Sequence, residues 1–225
     1  MSRQEILKFI EENNHDLLLD FYNKTYEKLK SLNSSIDRLT LYLIIVAFLY
    51  FISSGKSIQS FQVGPVSIAD ISVIVKILPV LFSYILLDIV ITSGHKAEVF
   101  RIVKFIAMSI YKHDYNFKDL EDTKHSGIVR ILMPFSYSIE FSKFNTEKVH
   151  ILQALFGFII LSPLAILIFG PFYLEYYMLR EIYNTYSDFF SKICFYLSIW
   201  IIGLLIFYML SNMIKSIKEQ RQDLE

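Results

Sequence analysis

Four long apolar runs, separated by polar segments, dominate the pattern of hydrophobic and polar positions along the chain. They cover residues 39–54, 71–93, 149–171 and 193–213. A helix needs roughly 20 mostly apolar residues to cross a hydrocarbon core of ~30 Å, and the first run approaches that length when it is extended back to Ile36. Lipid offers no hydrogen-bond partners to an open sheet, so spans of this kind form helices. The pattern predicts an all-α, polytopic integral membrane protein with four transmembrane helices.

Helical periodicity continues beyond the first two runs. Apolar residues recur at three- and four-residue spacing before the first run, at Leu18, Tyr22, Tyr26, Leu29, Leu32 and Ile36, and after the second, at Val99, Ile102, Val103, Ile106 and Ile110. No proline or glycine interrupts the chain between Asn14 and Ser54, which predicts one helix ~60 Å long at about 1.5 Å per residue. The second pattern continues to about Lys112. We therefore expect helical extensions of the first two transmembrane helices to project into the cytoplasm.

The segments between the runs have their own patterns. Residues 56–70 contain a Gly64-Pro65 turn flanked by alternating residues, which predicts a small β-hairpin. Residues 172–190 are rich in tyrosine and acidic residues, which is typical of an aromatic belt at the membrane–water boundary. A binding site for an external ligand is the alternative interpretation of this stretch.

Lysine and arginine are distributed unequally between the two sides of the predicted membrane. Eighteen of them lie in residues 1–38, 94–148 and 214–225, whereas three lie in the segments on the other side. Cytoplasmic segments carry an excess of positive charge, so both termini are predicted to be cytoplasmic. Residues 1–225 then form a single membrane domain, in which 1–38 is a cytoplasmic N-terminal helix, 94–148 a cytoplasmic helical segment and 214–225 a cytoplasmic tail.

Composition narrows the class and location of the protein. Hydrophobic residues make up 54% of the 225 residues and occur in uninterrupted runs, which argues against a soluble helical bundle. The first 38 residues are polar and contain several acids, so no cleavable signal peptide is expected. Abundant Ile, Lys, Asn, Phe and Tyr with scarce Gly are typical of an AT-rich bacterial genome. We therefore expect a bacterial inner-membrane protein.

The residue types of catalysis and metal binding occur in no recognisable pattern. Cys194 is the single cysteine, and the five histidines have no metal-ligand spacing. Neither a glycine-rich phosphate-binding motif nor a nucleophile motif is present. Lys+Arg and Asp+Glu balance at 22 each, so charge gives no reason to expect nucleic-acid binding. The sequence predicts a protein without enzymatic activity, metal or cofactor, whose partners are the lipid bilayer, further copies of itself and a cytosolic activator or partner protein.

Lys76 and Asp88 are charged residues inside the second run. Charged side chains are costly within a bilayer, and they commonly mark a functional pathway. On a helix, Ser72, Lys76 and Ser83 fall within ~40° of one another, which predicts a polar stripe that lines a water-filled pore in an oligomer. With a helical rotation of about 100° per residue, Asp88 lies ~120° from this stripe. It is a separate candidate for pore lining. The alternative is that Lys76 and Asp88 each extend towards the nearer membrane interface.

Two prolines inside the apolar runs are candidate gating hinges. Pro79 lies in the second run and Pro163 in the third. A proline removes a backbone hydrogen bond and can bend a helix at a gate. An ordinary static kink is the alternative for each of them.

In overall plan, with four spans, cytoplasmic termini and a helical cytosolic part, the chain resembles the small four-span effector proteins of bacterial anti-phage defence systems. This resemblance implies that a cytosolic signal triggers permeabilisation of the membrane. We expect a homo-oligomeric channel or pore-type effector gated from its cytoplasmic helices, because four spans do not easily enclose a pore alone. A non-conducting membrane scaffold that recruits a cytosolic partner is the alternative. A small transporter fits less well, because the sequence shows no inverted repeat.

Overall fold

The computed structural model of the chain describes residues 3–54, 61–63, 66–68, 71–111 and 169–222. Helices dominate these residues, in agreement with the predicted fold class. Three of the helices are long and apolar enough to cross a membrane, and they lie at His15–Ser54, Ser72–Ile110 and Phe189–Lys215. The chain is therefore a helical protein with three candidate membrane spans in its described part.

Three of the four predicted spans fall within these helices. The predicted spans 39–54, 71–93 and 193–213 each lie in one of them. The remaining predicted span, 149–171, is the third along the chain and lies outside the described residues except for its last three positions. Most of the predicted cytoplasmic segment 94–148 also lies outside them.

The N-terminal segment contains two helices instead of the single helix predicted over 1–38. Helix α1 covers Arg3–Glu12, and helix α2 covers His15–Ser54. Asn14 lies between them as the N-cap of α2, because its Oδ1 accepts a hydrogen bond from the backbone N–H of Leu17 at 3.0 Å. The predicted long helix beginning near Asn14 is confirmed.

A short β-hairpin follows α2. Strand β1 covers Phe61–Val63 and strand β2 covers Val66–Ile68. The two strands are antiparallel, and Gln62 lies opposite Ser67. The hairpin predicted within residues 56–70 is confirmed.

Three further helices complete the described chain. Helix α3 covers Ile71–Tyr111 and continues through Pro79, where the proline lacks the N–H of a regular backbone hydrogen bond. Helix α4 covers residues 169–185, and helix α5 covers Phe189–Gln222. The predicted helical extension of the second span to about Lys112 is confirmed by the length of α3.

The chain divides into two compact units, whereas the sequence pattern predicted a single domain. Unit 1 contains the described residues 3–37, 91–111 and 209–222. Its core joins α1, α2 and α3 through Ile6, Ile10, Leu18, Tyr22, Leu29, Val99, Val103, Ile106 and Ile110, with Tyr26, Leu32 and Ile102 at the edge. The apolar faces predicted for the two helical extensions are thus confirmed as packed surfaces. An exposed ion pair of 2.8 Å between Lys215 and Glu98 also joins α5 to α3.

Unit 2 contains the hairpin and the described residues 38–54, 71–90 and 169–208. Its core includes Leu43, Val46, Tyr50, Val75, Leu78, Phe82, Leu86, Met178 and Leu205. The outward faces of its helices expose many large apolar side chains, among them Ile44, Phe48, Phe51, Leu81, Trp200 and Phe207. A surface of this extent is unfavourable in water and suits contact with lipid chains. The exposed faces therefore agree with a multi-pass membrane protein.

Candidate functional site

Lys76 and Asp188 form an ion pair in unit 2 that joins α3 to the start of α5. The Lys76 ammonium donates a hydrogen bond to Asp188 Oδ1 at 2.9 Å and lies 4.7 Å from the centre of the Tyr186 ring. The Lys76 side chain is 11% exposed, and that of Asp188 is 45% exposed. The opposite charge and the aromatic face replace part of the hydration that a lysine loses on burial. This arrangement explains how an apolar helix accommodates a lysine.

Asp188 is also the N-cap of α5. Its Oδ2 accepts a hydrogen bond from the Ser191 N–H at 3.1 Å, and its Oδ1 accepts one from the Ser191 hydroxyl at 2.6 Å. An acidic N-cap satisfies a free backbone N–H and interacts favourably with the helix dipole. The hydrogen bonds from Ser191 and Lys76 hold the pKa of the Asp188 carboxyl well below its ordinary value. Asp188 is therefore a fixed negative charge at neutral pH.

Ser83 and Glu175 form a second polar pair, between α3 and α4. The Ser83 hydroxyl oxygen lies 2.7 Å from Glu175 Oε1 and 2.8 Å from the Pro79 carbonyl oxygen. Ser83 is fully buried, and Glu175 is 1% exposed. A serine hydroxyl has one proton to donate, so it donates to one of these two oxygens at a time. Glu175 Oε2 is buried and has no hydrogen-bond partner among the described residues.

A third polar pair links α2 to α4. The hydroxyl of Tyr50 donates a hydrogen bond to Glu181 Oε2, and Tyr50 is fully buried. The Tyr50 ring also meets Tyr177 of α4 edge to face, with ring centroids 6.4 Å apart. Helix α4 thus carries two carboxyl groups, Glu175 and Glu181, that neighbouring helices contact through hydroxyl donors.

The structure brings two of the four predicted polar residues of α3 against polar partners from other helices. Lys76 and Ser83 are buried and bound to Asp188 and Glu175, as described above. Ser72 and Asp88 are half-buried, and each has an interaction partner. Lining of a pore by these residues stays a prediction.

Of the two candidate hinge prolines, one lies among the described residues and the other does not. Pro79 lies one turn before Ser83 in α3, and its carbonyl oxygen contacts the Ser83 hydroxyl. Its role as a gating hinge stays a prediction. Pro163 lies outside the described residues.

The acidic partners were missed by the sequence interpretation, which assigned Glu175, Glu181 and Asp188 to an interfacial aromatic belt. The charged residues of the sequence indicated where to look for these partners. A lysine inside an apolar helix needs a counter-charge, and these acids lie in the aromatic stretch 172–190, which was predicted on the side of the membrane where the second run begins. A search for partners of Lys76 would therefore have selected this stretch.

The fold and these polar pairs are consistent with a helical, multi-pass membrane protein: three of the described helices could cross a membrane, and ionisable side chains are packed between the helices. No family model, no curated protein and no solved structure matches the chain.

Proposed function

We propose that the protein is a homo-oligomeric, channel- or pore-type membrane effector whose conducting path follows the polar side chains of unit 2. The observation that carries this proposal is the presence of two interhelical polar pairs, Lys76–Asp188 and Ser83–Glu175, among apolar helices. A charged side chain within a membrane helix is costly, and Lys76 lies inside the second predicted span. Apolar packing would avoid this cost, and ionisable residues between membrane helices commonly mark pathways for ions or protons.

The polar pairs also supply a mechanism for gating. In the described conformation, Lys76 and Ser83 are bound by partners that belong to α4 or to the start of α5. Movement of α4 and the α5 start away from α3 would break both pairs and leave two polar side chains available to water. Several copies of the chain would then surround the path, because four spans do not easily enclose a pore alone.

Unit 1 is the proposed receiver of the activating signal. It has a hydrophobic core of its own, built from α1 and from the parts of α2 and α3 outside the predicted spans. The excess of lysine and arginine in residues 1–38 and 94–148 favours a cytoplasmic position for these helices. Together with the architectural resemblance to small defence effectors, this supports permeabilisation of a bacterial inner membrane in response to a cytosolic signal.

A non-conducting anchor is the second candidate function. The separate core of unit 1 favours it, because such a folded surface suits the recruitment of a soluble partner. In this case the polar pairs of unit 2 would only hold the membrane helices together. The two candidates differ in whether the protein makes a membrane permeable.

Release of ions and of a small dye from liposomes tests the proposed function. Without its activator, the purified protein should give little release, because Lys76 and Ser83 are bound in the described conformation. We expect Asp188→Asn to increase this basal release severalfold because it weakens the bond to Lys76. Asp20→Asn is the matched control, since it makes the same change in the exposed Lys24–Asp20 pair and should leave release unaltered. If neither the wild-type protein nor Asp188→Asn releases ions or dye, the channel function is refuted and the non-conducting anchor is favoured.

A further inference from the structure

A cavity of about 570 Å³ lies within unit 2 between α3, α4 and α5. Its lining is almost wholly apolar and includes Leu86, Phe172, Leu179, Phe195, Ile199 and Ile202. Tyr176 and Tyr183 also line it and are exposed on the outward face of α4, so the cavity is accessible from the surface assigned to lipid. Pockets of about 300–1,000 Å³ are typical of sites for small molecules.

One polar group in this lining has an unused hydrogen-bonding atom. Glu175 lines the cavity, is 1% exposed, and has an Oε2 without a partner among the described residues. Its other oxygen, Oε1, already contacts the Ser83 hydroxyl. A buried polar atom left without a hydrogen-bond partner is unfavourable, and the surrounding apolar side chains offer no compensation. A ligand hydroxyl, which can both donate and accept a hydrogen bond, would remove this cost when it is carried on an apolar body.

Arg180 adds a second polar feature at the cavity. It lines the cavity on the same helix as Glu175 and is exposed. Arg180 follows Glu175 by five positions, which places it ~7.5 Å further along α4 at about 1.5 Å per residue. A guanidinium donates hydrogen bonds and accepts none, so it selects oxygen atoms of the ligand such as those of an ester or a phosphate.

We propose that this cavity binds a single-chain glycerolipid. Its acyl chain lies against the apolar wall formed with Leu86 and Ile199, and a glycerol hydroxyl forms a hydrogen bond with Glu175 Oε2. An ester or phosphate oxygen of the same lipid accepts hydrogen bonds from Arg180. A cavity of drug-like size suits one acyl chain with a small head better than a two-chain phospholipid. This proposal concerns binding, and it holds whether or not the protein conducts.

Lipid binding to the full-length protein in detergent, followed by native mass spectrometry, tests the proposal. The probes are 1-monooleoylglycerol, 1-oleoyl lysophosphatidate and methyl oleate, which has the same chain and no donor. We expect one saturable molecule of monooleoylglycerol per chain, bound about fivefold more tightly than methyl oleate, as one hydrogen bond provides. If lysophosphatidate binds more tightly than monooleoylglycerol, Arg180 binds the phosphate of the lipid. If the two lipids bind equally, the ligand is a neutral monoacylglycerol. Equal affinities for monooleoylglycerol and methyl oleate would refute the site.

Two substitutions and a control localise the binding. Glu175→Leu removes the carboxyl that bonds the glycerol hydroxyl, so monooleoylglycerol should lose its roughly fivefold advantage over methyl oleate. Ile202→Trp fills the cavity without altering Glu175, and we expect it to abolish binding of both lipids. Ile206→Trp makes the same change on the exposed face of α5, outside the lining, and should bind as the wild type does. Normal lipid binding by Ile202→Trp would contradict the proposal. If a variant fails to fold, the comparison of monooleoylglycerol with methyl oleate on the wild-type protein still tests the site.

Discussion

At the scale of single residues, Lys76 shows how a membrane helix can hold a buried charge. Its ammonium is bound to Asp188 and lies over the Tyr186 ring, so it does not need to extend into bulk water. Asp188 also caps α5 through Ser191, and one carboxylate therefore serves both the ion pair and the helix terminus. Because these interactions favour the ionised carboxyl, the stability that they contribute depends on pH.

The pH dependence of thermal unfolding in detergent tests this role of Asp188. A carboxyl whose pKa is lowered by folding contributes stability that is present above its ordinary pKa of about 4 and is lost as the pH falls further. Asn is also a good N-cap, so Asp188→Asn mainly removes the charge opposite Lys76. We expect wild-type protein to melt at a higher temperature than Asp188→Asn, by a constant margin above about pH 5 and a shrinking margin below about pH 4. A margin that stays constant down to pH 3 would contradict this assignment.

At the scale of elements, α5 packs against the protein through one narrow line of buried residues, here called the seam. Its buried positions recur at three- and four-residue spacing, at Ser191, Cys194, Ser198, Ile201 and Leu205. Three of these five residues are small, which permits close approach of neighbouring helices. Most of the remaining side chains of the helix between these positions are apolar and exposed. The seam therefore determines which face of a uniformly apolar helix packs against the protein.

Enlarging a seam residue should destabilise the protein. Ser198 is fully buried, so Ser198→Leu inserts extra volume into a packed interface and should cost about 1–3 kcal/mol of unfolding free energy. Gly203→Leu is the matched control on the exposed face of the same helix, where a Cβ atom meets nothing within 4 Å. Unfolding by a denaturing detergent, followed by circular dichroism, measures both variants. Equal stability of the two variants would show that the seam is not tightly packed.

At the scale of the whole molecule, each unit has its own hydrophobic core. Unit 1 packs the helical extensions together, and unit 2 packs the apolar segments of α2, α3 and α5 with α4. The proposed orientation places unit 1 in the cytoplasm, because eighteen of the lysines and arginines lie in the segments 1–38, 94–148 and 214–225. The start of α5 then belongs to the opposite side of the membrane.

Cysteine labelling in intact bacterial spheroplasts tests this orientation. In a Cys194→Ser background, which has no other cysteine, we introduce Glu11→Cys in α1 or Ser187→Cys before α5, both at exposed positions. A membrane-impermeant maleimide should label Ser187→Cys directly and Glu11→Cys only after lysis. The reverse order would place the termini outside, and labelling of both positions before lysis would likewise contradict the assignment.

Much of the helical architecture follows from local sequence patterns alone. Long apolar runs predicted three helices that the structure describes, and three- and four-residue spacing predicted the packed faces at Leu18, Leu29 and Val103. The start of α2 near Asn14 and the small hairpin were also predictable, because caps and turns depend on a few adjacent residues. The break between α1 and α2 was missed, because no proline or glycine marks it.

The partners of the buried polar residues were decided only by the tertiary structure. The bonds Lys76–Asp188, Ser83–Glu175 and Tyr50–Glu181 join residues 112, 92 and 131 positions apart. Helical periodicity placed Lys76 and Ser83 on one face of α3 but carries no information about which helix covers that face. That choice depends on how α4 and the start of α5 pack against α3, and packing sums contacts from distant parts of the chain. The polar face that the sequence assigned to a shared pore therefore has partners within its own chain.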